Sequence, residues 1–179
     1  MHCWKSVNLN KQYGPQRMFI ISLLTMLLSF TTIYALVSAG LSKGTLHDDY
    51  ALLFMAGIFM LYPLHKVLHL LPLLFAFNKL KIQSKQHFYI PQFTIRVKDP
   101  ISKMLFLFSL LTPFVVVTGT CLYFALRLPA YAHYFTILLS LHIGLCASDA
   151  ITLFNILRSP RCSYVEENDE GFEILVREA

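Results

Sequence analysis

The chain has 179 residues, of which 56% are apolar and 14% charged, with a mean hydropathy of +0.57. A soluble domain carries about a quarter charged residues, so this composition excludes a chain that is water-soluble throughout, as well as disordered, fibrous and disulfide-knot classes. The formal net charge of +5 falls in clusters between hydrophobic runs, which argues against a nucleic-acid partner.

Residues 1–17 form a basic segment with Lys5, Lys11 and Arg17 and no acid. The first apolar run, 18–40, contains no charged residue. It exceeds the 7–15 residues of a signal-peptide core, so it reads as a retained span rather than a cleaved leader. The connection that follows carries Lys43 against Asp48 and Asp49. The second run, 50–77, holds His65, Lys66 and His69. A basic loop, 78–103, then carries Lys79, Lys81, Lys85, Arg96, Lys98 and Lys103 against Asp99 alone. The third run, 104–126, has Tyr123 as its one ionisable group, and the fourth, 131–157, holds His133, His142 and Asp149. About 20 helical residues cross a ~30 Å hydrocarbon core, and a backbone in lipid must satisfy its own hydrogen bonds. The expected fold is therefore an all-α membrane protein, a bundle of four transmembrane helices spanning 18–157.

The positive-inside rule places both termini and loop 78–103 in the cytosol and the chain in the cytoplasmic membrane. Within that loop, residues 86–98 mix β-branched, aromatic and polar side chains around Pro91-Gln92, which predicts a short β-hairpin. Residues 158–179 carry Glu166, Glu167, Asp169, Glu170, Glu173 and Glu178 and read as a solvated acidic tail, with 172–176 a strand or helix candidate. Cys3, Cys121, Cys146 and Cys162 lack paired spacing, so no disulfide is expected.

An ionisable side chain inside a span costs roughly 2.5–3.5 kcal/mol at its centre and usually marks a site. Apart from His133 near the start of the fourth run, such groups are confined to two stretches. His65 and His69 are four apart and share one helix face, the spacing two imidazoles need to reach one metal ion. His142, Cys146 and Asp149 share a face of the fourth run by the same arithmetic. His69 and Asp149 each precede the cytosolic end of their run by 8 residues, which is about 12 Å of helix. Two imidazoles and a carboxylate at one depth make three N/O ligands with a fourth position open, the pattern of a catalytic zinc site. An interhelical Lys66–Asp149 ion pair is the competing use of that carboxylate. His142 reads as helix packing, a relay group or a neighbour supporting the ligands, and Cys146 as a small apolar residue or a soft ligand. Ser140 and Ser148 lack the glycine flanks of a Ser–His hydrolase motif.

The pair His65-x-x-x-His69 resembles the HExxH helix of the membrane-embedded putative zincin peptidases, a bacterial family of unknown function distantly similar to site-two proteases. The basic loop, the segment Pro100-Ile-Ser-Lys-Met-Leu-Phe, Pro113 and Ala147-Ser-Asp149 extend the resemblance over about 51–157. It implies zinc, with His65, His69 and Asp149 as ligands. The family's general base is the Glu after the first His, and Lys66 stands there instead. A protonated Lys accepts no proton, and its charge beside a dication weakens metal binding. The resemblance therefore implies a degenerate metallopeptidase that binds a membrane segment or partner protein. An intramembrane His/Asp transporter or proton relay is one alternative. The other is an active peptidase with a substitute base, a role open to a desolvated, neutral Lys66.

Overall fold

The computed structural model describes residues 2–40, 46–74, 80–87, 90–97, 100–168 and 171–176. Strand β1 (His2–Val7) leads into helix α1 (Leu9–Gly40). Asn8 caps that helix, its Oδ1 accepting the Lys11 N–H at 3.0 Å. Gly14 then breaks the first turn from the rest with φ 75°, a left-handed conformation open to glycine, and Pro15 restarts the helix. Helix α2 (Ala51–Leu73) precedes strands β2 (Leu80–His87), β3 (Ile90–Val97) and β4 (Ile101–Ser102). Helix α3 (Lys103–Arg127) is joined by a single tight turn, Pro129–Tyr131, to α4 (Ala132–Leu145). Helix α5 (Ala147–Leu157) and strands β5 (Ser163–Asn168) and β6 (Gly171–Val176) complete the order.

Among the described residues, three helical stretches are long and apolar enough to cross a membrane: Lys11–Gly40, Ala51–Leu73 and Lys103–Arg127. The fourth expected run, 131–157, is not one straight helix. It is a bent pair, α4 and α5, which meet at 45°. Cys146 sits at the junction with ψ −5°, short of the helical value, and its N–H reaches the carbonyls of both Gly144 and His142. The second expected run extended to Phe77, which lies outside the described residues.

Helix α4 is the centre of the bundle, packing on α1 and α3 and more lightly on α2, which lies chiefly against α3. Leu61 and Leu68 of α2 meet Val117 and Cys121 of α3 and Leu139 of α4 in the main apolar core. Helices α1 and α4 approach closely at Gly144, where a Cβ would stand 3.0 Å from both the Met26 Cβ and the Ser22 carbonyl oxygen. Hydroxyls inside these helices satisfy themselves on carbonyls one turn back, as in Thr25 to Ile21, Thr120 to Val116 and Ser140 to Thr136. The outer faces carry large exposed apolar side chains, among them Leu28, Leu36, Leu52 and Phe59.

The expected hairpin forms between β2 and β3, from Leu80 opposite Val97 to His87 opposite Ile90. Pro91-Gln92, expected as its turn, lies within β3 instead. Pro91 is the second residue of β3, opposite Gln86, near a strand end where a missing N–H is tolerated.

The C-terminal segment expected as a solvated tail is built into a sheet, in which the 172–176 strand candidate forms most of β6. Strands pair antiparallel in the order β1-β6-β5-β4 and bring the two ends of the chain together. The acids alternate with apolar residues there: Val165, Phe172 and Ile174 turn inward onto Val7, Leu107 and Ile156. Gly171 is required where β6 meets the end of β1, since a Cβ would lie 2.1 Å from the Val7 carbonyl oxygen. Lys103, expected only as a basic loop residue, is 8% exposed and donates to the carbonyls of Leu157 and Ser159 at 3.2 and 2.6 Å. It thereby closes the carboxyl end of α5.

Candidate metal centre

The polar residues singled out in α2, α4 and α5 meet in the interior. His65 and His69 project from one face of α2, with their Nε2 atoms 3.1 Å apart. Asp149 enters from the first turn of α5. Its Oδ2 lies 3.1 Å from the His65 Nε2 and 3.4 Å from the His69 Nε2. The bend at Cys146 matters for this placement, because it sets the direction of α5 independently of α4.

The protons can be assigned from the partners. The His69 Nδ1 stands 2.8 Å from the Ser109 backbone carbonyl of α3, which can only accept, so this nitrogen carries the hydrogen. In the neutral ring the His69 Nε2 is then a bare lone pair pointing inward. The Ser109 hydroxyl donates in return to the His69 carbonyl at 2.6 Å, tying α2 to α3 at this level. The His65 Nδ1 lies 3.2 Å from the His142 Nε2 of α4. With neutral rings, the centre holds at most one hydrogen, on the His65 Nε2, facing two acceptors: the His69 Nε2 and the Asp149 Oδ2. The Asp149 Oδ2 is buried, and the one hydrogen within its reach, on the His65 Nε2, is shared with the His69 Nε2. A buried carboxylate is costly unless it is paired, and the two imidazoles facing Asp149 leave room between them for a proton or a metal ion.

A zinc ion fits that arrangement. Tetrahedral ligands at ~2.0–2.2 Å from zinc stand about 3.3–3.6 Å from one another. The three separations here, 3.1, 3.1 and 3.4 Å, come within a few tenths of an ångström of that range. The outward nitrogens of both histidines are held by neighbouring groups, the arrangement that orients metal-ligating imidazoles.

His142 and Cys146 lie behind His65. His142 is fully buried. The Cys146 Sγ is 3.6 and 3.7 Å from the two His142 ring nitrogens and 4.0 Å from the His65 Nδ1. His65, His142 and Cys146 make a second group of metal-capable atoms within 4.8 Å of one another. Near-equal distances to both ring nitrogens place the sulfur beside the ring rather than along either lone pair. The pair therefore backs His65.

Lys66 is not part of the centre. Its side chain is exposed and its Nζ lies 5.9 Å from the centroid of the Tyr62 ring on the same helix. The Lys66–Asp149 ion pair weighed as the competing arrangement does not form. Position 66 is one residue, or about 100° of helix, round from His65, and the Lys stem leads outward from there. Ser109 is the contributor that sequence reasoning missed, since its role rests on a backbone carbonyl.

Comparison with curated proteins and with solved structures returned no match. A family model described as "Putative zincin peptidase" matches residues 58–164, a stretch that contains both α2 histidines, Ser109, His142 and Asp149. That match covers more than half of the chain, which therefore belongs to this peptidase-like family.

Proposed function

We propose that this protein lies in the cytoplasmic membrane with both termini in the cytosol, and that His65, His69 and Asp149 hold one zinc ion there. The observation that carries the reading is the buried Asp149 Oδ2 facing two imidazole nitrogens at 3.1 and 3.4 Å. Bound zinc supplies a Lewis acid, the chemistry by which a zincin polarises a peptide carbonyl. The chain's own residues do the rest: His142 and the Ser109 carbonyl set the ring orientations, and the apolar helices around them exclude water.

Hydrolysis also requires a base, and position 66 offers an exposed lysine directed away from the trio. Among the described residues, neither group of metal-capable side chains contains a second carboxylate. These two facts support a degenerate site that binds rather than cleaves. Its ligand is a membrane segment of a partner protein, taken up from the bilayer beside α2. An active enzyme with a substitute base would need a group brought in from elsewhere.

The test is metal analysis of the full-length protein purified in detergent. The expected result is about one zinc per chain, absent in His65→Ala and Asp149→Ala. Metal-free protein under zinc-replete growth, with both variants indistinguishable from the parent, overturns the zinc reading. Lys66→Glu addresses the degeneracy. Gain of proteolysis toward a membrane substrate supports a lost base, whereas cleavage already present with Lys66 contradicts it.

One observation favours a second reading. His69, His65 and His142 form a continuous chain of imidazoles with contacts of 3.1 and 3.2 Å, the form of a proton relay in a small transporter. Proton flux in liposomes that vanishes in Asp149→Asn would support it, and silent liposomes would remove it.

A further inference from the structure

Helix α3 carries a proline, Pro113, that is fully buried against its neighbours. A proline has no N–H, so the carbonyl four residues earlier loses its helical donor. That carbonyl belongs to Ser109, the group that accepts the His69 Nδ1–H at 2.8 Å. An ordinary residue at position 113 would place an N–H on the same oxygen and compete for it. We infer that Pro113 is a positioning residue: it frees the Ser109 carbonyl to hold His69 in the Nδ1–H tautomer, with Nε2 directed at Asp149.

The geometry around the pair is consistent on both sides. The Ser109 hydroxyl donates to the His69 carbonyl at 2.6 Å, so α3 approaches α2 at this carbonyl. Ser109 is itself buried, so bulk solvent is held away from this carbonyl. The other prolines act as internal controls. Pro63 of α2 frees the Phe59 carbonyl by the same logic, and the Phe59 side chain faces outward, away from the histidines.

The inference deepens the zinc reading and rests on it only for metal affinity; the tautomer is measurable without metal. The experiment uses the full-length protein in detergent, ¹⁵N-labelled at histidine, with Pro113→Ala and Pro63→Ala beside it. Imidazole ¹⁵N spectra of the apo protein should show His69 as the Nδ1–H tautomer, shifted toward a mixture in Pro113→Ala and unchanged in Pro63→Ala. The zinc dissociation constant should rise about 10–100-fold in Pro113→Ala alone. The melting temperature of that variant should hold or increase, because a helix-interior proline is replaced by the best helix former. A purely structural proline predicts a changed melting temperature with an unmoved tautomer.

The outcomes separate the two claims. A tautomer shift in Pro113→Ala, in a parent that binds no zinc, keeps the positioning role and removes the metal reading. An unmoved tautomer and unmoved zinc affinity in Pro113→Ala overturn the positioning role. So does an Nε2–H tautomer for His69 in the unsubstituted chain, a result that needs no variant to fold.

Discussion

The sheet-capped end of the molecule and the histidine–carboxylate centre are both buried, yet they are built by opposite rules. At the capped end, Val7, Val165, Ile156 and Ile174 are closed off by apolar neighbours, and the buried Lys103 finds two carbonyls. In the centre, three polar side chains converge, and with neutral rings two imidazole nitrogens and a carboxylate oxygen share at most one hydrogen. The first region is closed by apolar burial; the second gathers polar ligand atoms in the interior. A stable platform at one end allows a polar cluster to persist a short way into the bundle.

That contrast can be broken from either side. Ile174→Ala, at a fully enclosed position, should produce the largest effect on folding, a loss of about 2–5 kcal/mol. Denaturant titration in detergent would show it, and zinc content per folded chain should be unchanged. Asp149→Asn should do the reverse. With metal removed by chelation, its melting temperature should equal or exceed that of the parent, because the amide can donate to a histidine lone pair. Zinc binding should be lost. A metal-free Asp149→Asn variant that melts well below the parent would show that the carboxylate stabilises the fold by itself. The smallest effect belongs to Lys66→Met, expected within about 0.5 kcal/mol of the parent because the lysine is exposed and does not reach Asp149. A large loss would mean that an ion pair forms after all.

Much of the centre could be read from spacing. A spacing of four from His65 to His69 dictates a shared face, and equal distances to the run ends place Asp149 at their level. What the spacing could not give is direction around the helix for a long side chain, which is why Lys66 remained a rival partner for Asp149. The bend at Cys146 left no sign in hydropathy, since Leu145, Cys146 and Ala147 are all apolar. The sheet was hidden for another reason. Its strands are short, and β1 pairs with β6 at the far end of the chain; no local pattern encodes that partner. Acidic residues alternating with Val165, Phe172 and Ile174 looked solvated by charge count alone, although the alternation is that of a half-buried strand. Ser109 was invisible because its contribution is a carbonyl, although Pro113 four residues on was a readable signal that this carbonyl had lost its donor.

The measurement closest to the central claim is X-ray absorption at the zinc edge on the purified full-length protein. The account predicts nitrogen and oxygen scatterers alone, at ~2.0–2.2 Å, from two imidazoles, one carboxylate and a non-protein fourth ligand. A sulfur scatterer near ~2.3 Å would move the metal to His65, His142 and Cys146. Either that shell or a protein that holds no zinc at all would contradict a centre built on His65, His69 and Asp149.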